Sequence, residues 1–135
     1  MKAIKDSSGA TLAVILNMSE YHNTGSKQFF SEPDDSLQIG ALTFQQGEIV
    51  PPHMHKQKAV SSVKAMEIIM VLGGVVEATI YDNAKQPALT LKLFVGDVLI
   101  QKSGGHGFTF TEKSSLIEVK TGPYSGKDSD KELIS

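Results

Sequence analysis

The sequence predicts an all-β fold of short antiparallel strands, a sandwich or a barrel. Three observations carry this expectation. Short apolar, β-favouring runs recur roughly every eight to twelve residues. The breaks between them are turn chemistry: Gly73-Gly74, Asp82-Asn83 and Gly96-Asp97. Nowhere do apolar residues recur at the i, i+3, i+4, i+7 spacing of a helix face.

In chain order, residues 12–16 form the first run. Residues 38–44 follow the turn-like Glu32-Pro-Asp-Asp-Ser and form the second. Residues 68–72 are apolar at every position, as in a strand buried on both faces. Gly73-Gly74 interrupts, and residues 75–81 resume. Leu89, Leu91 and Leu93 alternate with Thr90 and Lys92, a period of two. Residues 98–100 come next. His106, Phe108 and Phe110 then share one parity, with Thr109 and Thr111 on the other, and residues 116–120 close the series. Only the polar tail, residues 127–134, has the composition for a helical turn or two, or for a frayed end.

The chain has 135 residues, the size of one ordinary domain, and its 40% hydrophobic and 21% charged residues are those of a soluble globular protein. There is no Cys, and all 13 basic residues are Lys. Thiolate metal sites, iron–sulfur clusters, disulfides and a Cys nucleophile are therefore excluded. So are bidentate guanidinium clamps on phosphate or carboxylate. Any metal must be held by His, Asp, Glu or backbone oxygens, and there are only four His: His22, His53, His55 and His106. A net charge of −2 gives no basic face, so no nucleic-acid partner is expected. The first ten residues lack the apolar stretch of a signal peptide, and no apolar run approaches the ~20 residues of a membrane span. A cytoplasmic protein with no membrane partner is the expectation.

Chemistry concentrates in three places. Residues 51–55 read Pro-Pro-His-Met-His. On a strand, His53 and His55 point to one face, roughly 6.6 Å apart, and can converge on one ion. Two neutral imidazoles suit Zn, Fe(II), Mn, Ni or Cu. Glu67 opens the long apolar run and is the only acid between Glu48 and Glu77. A carboxylate there is costly to bury unless something pairs with it, and a cation would. His106 shares the parity of Phe108 and Phe110, which are bulky enough for core, so it is expected to point inward.

These residues resemble the two motifs of the cupin superfamily. The first, G-x5-H-x-H-x3,4-E-x6-G, is met by Gly47, His53-Met54-His55, Glu67 and Gly74. The second, G-x5-P-x-G-x2-H-x3-N, is met in part by Gly96, Gly104 and His106. Eleven residues rather than three or four separate His55 from Glu67. Lys102 stands where the family has Pro, His106 comes one residue early, and the Asn is replaced. Gly-Gly-His-Gly-Phe at 104–108 and Glu-Val-Lys-Thr-Gly-Pro-Tyr at 118–124 look like a set of small single-domain bacterial cupins loosely associated with sugar and surface-polysaccharide biosynthesis.

The resemblance implies a cupin-type conical β-barrel, a double-stranded β-helix of two antiparallel sheets. It implies one domain over 1–135: N-terminal strands in 1–46, the motifs in 47–120 and a polar tail in 121–135. It implies a divalent transition metal (Fe, Mn, Ni, Zn or Co) held by His53, His55, Glu67 and His106. The implied activity is that of a small metal-dependent enzyme on a small polar or carbohydrate-like substrate, of isomerase, decarboxylase or dioxygenase type. Two alternatives stand beside it: a non-enzymatic small-ligand-binding cupin, and a metal-free isomerase or epimerase of nucleotide sugars. The missing Arg weakens the last, because such sites usually grip a pyrophosphate. An exposed sheet edge in 1–46 invites pairing with a second subunit, and a homodimer is expected.

Other features have plainer readings. His22 lies in a polar, turn-like stretch and is expected to be exposed. Lys56, Lys58 and Lys64 form either a solvated loop or a cationic lid for an anionic substrate. Gly73-Gly74 and Gly104-Gly105 are turn or close-packing glycines, since no helix start follows either pair. Pro51-Pro52 fixes an extended entry to the His segment. Glu118 and Tyr124 are within reach of a barrel mouth; Tyr21, Tyr81 and Lys120 are weaker candidates.

Overall fold

Three aspartates shape the turns on which this chain is folded, in a computed structural model that describes residues 1–21, 28–33, 35–41, 44, 46–54, 65–121 and 132–134. Strands β1 (Lys2–Lys5) and β2 (Thr11–Asn17) are joined by a turn in which Asp6 Oδ1 accepts from the backbone N–H of Ser8 and Ala10 and from the Ser8 hydroxyl. After a two-residue pair, β3 (Gln28–Phe29) and β4 (Gly40–Ala41), come β5 (Glu67–Gly73), β6 (Val76–Tyr81) and β7 (Pro87–Leu93). Asp82 Oδ1 accepts from the N–H of Ala84 and Gln86 in the β6–β7 turn. Strands β8 (Asp97–Gln101), β9 (Gly105–Phe110) and β10 (Ser115–Lys120) complete the chain. Between β7 and β8, Asp97 Oδ2 accepts from Phe94 N–H at 2.8 Å. In each case the short side chain stands in for a backbone acceptor and closes the turn. The expected Asp82-Asn83 turn is thus present.

The strands form two main antiparallel sheets, of five strands in the order β1-β2-β8-β5-β10 and of three in the order β7-β6-β9. The protein is all-β, as expected, with the architecture of a β-sandwich. One turn of 3-10 helix, Met18–Tyr21, is the only helical element among the described residues. From β5 onward the chain alternates between the sheets: β5 in the large one, β6 and β7 in the small one, β8 in the large, β9 in the small and β10 in the large.

The large sheet is buried on both sides. Ile69, Val71 and Leu99 pack on its inner face against Val76, Ala78 and Ile80 of the small sheet. Ile68, Val98 and Ile100 pack on its other face with Val14, Leu16 and Phe30. This is why residues 68–71 are apolar at every position: odd and even residues enter different cores. Each fully buried Leu, Ile or Val contributes about 1.5–3 kcal/mol of transfer free energy.

Two expectations need correction. Strand β4 is two residues long, where the sequence reading extended it over 38–44; residues 42, 43 and 45 lie outside the described residues. Phe110 is exposed rather than core, although it stands opposite Val76 at the end of β9, whereas Phe108 packs on the inner core. Strand β1, with only Ile4 buried, has no alternation by which to be read from sequence.

Candidate functional site: a carboxylate and an imidazole between the sheets

Glu67 begins β5 with the parity of Ile69 and Val71, so its side chain belongs to the inner face of the large sheet. Its start is pinned from β10. Thr121 N–H donates to Met66 O at 3.1 Å, and Met66 N–H donates to Thr121 Oγ1 at 3.3 Å. His106 is the second residue of β9 and pairs with Ile80, a fully buried inner-core residue, so it faces inward from the small sheet. The expectation from parity holds. The chain reaches His106 through Gly104, at φ +69°, whose N–H donates to Asn83 Oδ1 at 3.0 Å. A Cβ on Gly104 would collide with Tyr81 O, so only glycine lets the turn lie this close to β6. The second-motif glycine therefore has a steric reason.

The two side chains meet across the gap between the sheets. His106 Nε2 lies 3.5 Å from Glu67 Oε2, with side-chain exposures of 15% and 18%. The pair is mostly withdrawn from water. The imidazole stacks on Phe108, with ring centroids 4.7 Å apart and planes 24° apart, which fixes its tilt.

The residues beside Glu67 are set by register. Lys120 on β10 and Gln101 on β8 stand directly opposite Glu67, one on each neighbouring strand, and share its face. Gln101 is the one buried polar residue among those described, at 6% exposure. Its Nε2 donates to Leu12 O at 3.4 Å and to Ser103 O, while its Oε1 is buried without a hydrogen-bond partner. Sequence reasoning missed Gln101. The signal was the one that found Glu67: a polar side chain at inward parity on an apolar strand, here one step beyond Leu99.

Of the four expected metal ligands, the structure brings Glu67 and His106 together. His53 is exposed and lies outside any strand, with Nδ1 2.9 Å from Pro51 O. The strand assumed for residues 51–55 is absent over 51–54, since Pro51 and Pro52 have no N–H to give a ladder. His55 lies outside the described residues, as do His22, Lys56, Lys58, Lys64 and Tyr124. Among the described residues, no group of three His, Asp or Glu stands close enough to hold an ion. The donor pair nonetheless fits one. At 3.5 Å the N···O separation exceeds the roughly 2.7–2.9 Å of a charge-assisted hydrogen bond. It is close to the edge of a tetrahedron with metal bonds of about 2.0–2.1 Å.

Tyr21 packs edge-on against Phe30, at 4.8 Å and 68°, and so belongs to the outer core rather than to the site. The Tyr81 ring lies beside Gly107 on the outer side of the small sheet. Comparison of the chain with protein-family models, with curated proteins and with solved structures gives no match.

Proposed function

We propose that this chain is a metal-binding cupin that acts on a small polar or carbohydrate-like molecule. In this reading Glu67 and His106 are two of the ligands, and His53 and His55 supply the others. The observation that carries it is the meeting of Glu67 and His106: 39 positions apart in sequence and on different sheets, they come to 3.5 Å. The alternation of strands between sheets from β5 to β10 supports it, because jelly-roll folds, cupins among them, are built from such interleaved antiparallel sheets. With no Cys in the chain, imidazole and carboxylate are also the donors that remain.

A bound divalent ion supplies Lewis acidity toward a carbonyl or hydroxyl of the ligand. That chemistry serves isomerisation, decarboxylation or, with a redox-active ion, oxygenation. The chain's own contribution is positional. Thr121 and Met66 hold Glu67, Phe108 holds the His106 ring, and both side chains of the pair are less than one-fifth exposed. Metal analysis of protein purified without added metal tests the reading. We expect near-stoichiometric metal in the parent, strongly reduced in Glu67→Gln and in His106→Ala; a parent with only trace metal overturns it.

A second reading is favoured by the exposure of His53 and its bond to Pro51 O. Glu67 and His106 then act alone as a proton-transfer pair, as in a metal-free isomerase. Activity that survives chelation but not Glu67→Gln would select it.

A further inference from the structure

His106 stands on a stretch of β9 with little side-chain hold of its own. Glycines flank it at 105 and 107, and β6 is the one strand paired with β9 among the described residues. A glycine in a strand packs nothing and loses the most backbone freedom on folding. Because His106 points inward, Gly105 and Gly107 turn their bare sides outward. Other parts of the chain supply the missing cover. The Tyr81 ring lies 3.7 Å from where a Cβ on Gly107 would be, an ordinary contact. At Gly105 the cover is Ile134. A Cβ there would come within 2.9 Å of Ile134 Cδ1, so that methyl takes the space a β9 side chain would otherwise fill.

Ile134 reaches this place along a tethered segment. Glu132 Oε1 accepts from Lys85 Nζ at 2.7 Å, in the β6–β7 turn. Leu133, between the two, is 82% exposed, whereas Ile134 is half-buried. That alternation belongs to an extended segment laid on a surface with one side down. Lys85 and Glu132 are both exposed, so their pair sets the register of the segment more than it adds holding energy. The same turn reaches β9 directly, through Asn83 Oδ1 and Gly104 N–H. Residues 132–134 thus bridge the β6–β7 turn and the start of β9, the two pieces of backbone that meet just before His106.

We propose that Ile134 is a positioning residue for His106: seated on Gly105 from outside the small sheet, it sets where the imidazole stands relative to Glu67 and Phe108. Its effect on a bound ion rests on the metal-site reading; its effect on the ring does not.

The test reads the His106 ring proton signals by NMR in the full chain without metal, at one fixed pH. The ring stacks on Phe108 at 4.7 Å, where a small displacement changes the ring-current shift. Ile134→Ala should move these signals, and so should Ile134→Val, which lacks only Cδ1. Ile134→Leu, which keeps a δ-methyl, should bring them back toward the parent. Leu133→Ala, adjacent but exposed, should leave them in place. Titration with Zn²⁺ should give a Kd raised about three- to tenfold in Ile134→Ala, at the low end of what loss of a supporting group costs a metal site, and unchanged in Leu133→Ala. Ring signals that stay put in Ile134→Ala, or that move equally in Leu133→Ala, would overturn the proposal. A parent that takes up no Zn²⁺ sinks the metal-site reading alone, since the ring signals are read without metal.

Discussion

Lys102 Nζ lies 2.6 Å from Asp35 Oδ2, with side-chain exposures of 12% and 13%. The same Asp35 oxygen accepts from Glu32 N–H at 2.8 Å, and Asp35 O accepts from Gln38 Nε2. This pair ties the segment that covers the outer core to the residue after β8. Lys102, just after β8, thus serves as a cation that anchors the cover.

A pair this withdrawn from water should be felt when broken. Lys102→Met leaves Asp35 mostly buried and uncompensated, and should destabilise by about 1–3 kcal/mol, above the range of exposed pairs. Combining it with Asp35→Asn should recover part of that loss. Urea unfolding of the four proteins in a double-mutant cycle measures the coupling.

Glycines at positive φ should divide into two classes. Gly9, at φ +88°, has open space where a Cβ would go, so Gly9→Ala should cost only the backbone term, about 1–2 kcal/mol. Gly104→Ala adds a clash with Tyr81 O, and should cost more than about 3 kcal/mol or displace the turn that delivers His106. Thermal melts separate the two, and chemical shifts of the His106 ring report the displacement.

Metal removal should lower stability through the same residues. An ion that binds only the folded chain stabilises it by mass action, about 2.7 kcal/mol at a hundredfold excess over Kd. A chelator should therefore lower the melting temperature of the parent by several degrees and leave Glu67→Ala and His106→Ala unmoved. His53→Ala, at a proposed further ligand, should behave as they do.

The acid side of the stability profile has a defined sign. The Asp6 carboxyl is held below its ordinary 3.8 chiefly by the Ser8 hydroxyl, with help from the N–H groups of Ala10, Ser8 and Gly9. Glu132 is held below 4.5 by its hydrogen bond and charge pairing with Lys85. A lowered folded value means a contribution present above the unfolded value and lost as pH falls through the folded one. Asp6→Ala should thus melt below the parent at pH 7, with the gap narrowing as pH falls below the ordinary 3.8 and through the lowered folded value. Salt should erase the Glu132 contribution, since Lys85 and Glu132 are both exposed.

The sequence made most of the sandwich legible because burial imposes a period. Residues 75–81 and Leu89, Leu91 and Leu93 alternate because one side of the small sheet faces the core, and 68–71 do not because both sides of β5 are covered. Strand β1 escaped notice since one buried residue, Ile4, makes no pattern. Glu67 and His106 were legible as polar residues at inward positions. The meeting of their side chains was not, because it depends on how two sheets stack. Gln101 was hidden by the same habit that hides β1: a single polar residue at a strand end resembles the start of a turn.

The two halves of the site stand on ground of unequal firmness. Strand β5 lies between two neighbours in the larger sheet and between two cores, so Glu67 is carried by backbone that opens only when the whole domain does. Among the described residues, β9 is one of the two edge strands of the smaller sheet, and it enters through a glycine turn. Exchange of backbone amides with solvent deuterium should accordingly be slow beneath the carboxylate and faster beneath the imidazole. A change in the spacing of the two side chains would then come from movement of the imidazole toward or away from a fixed carboxylate.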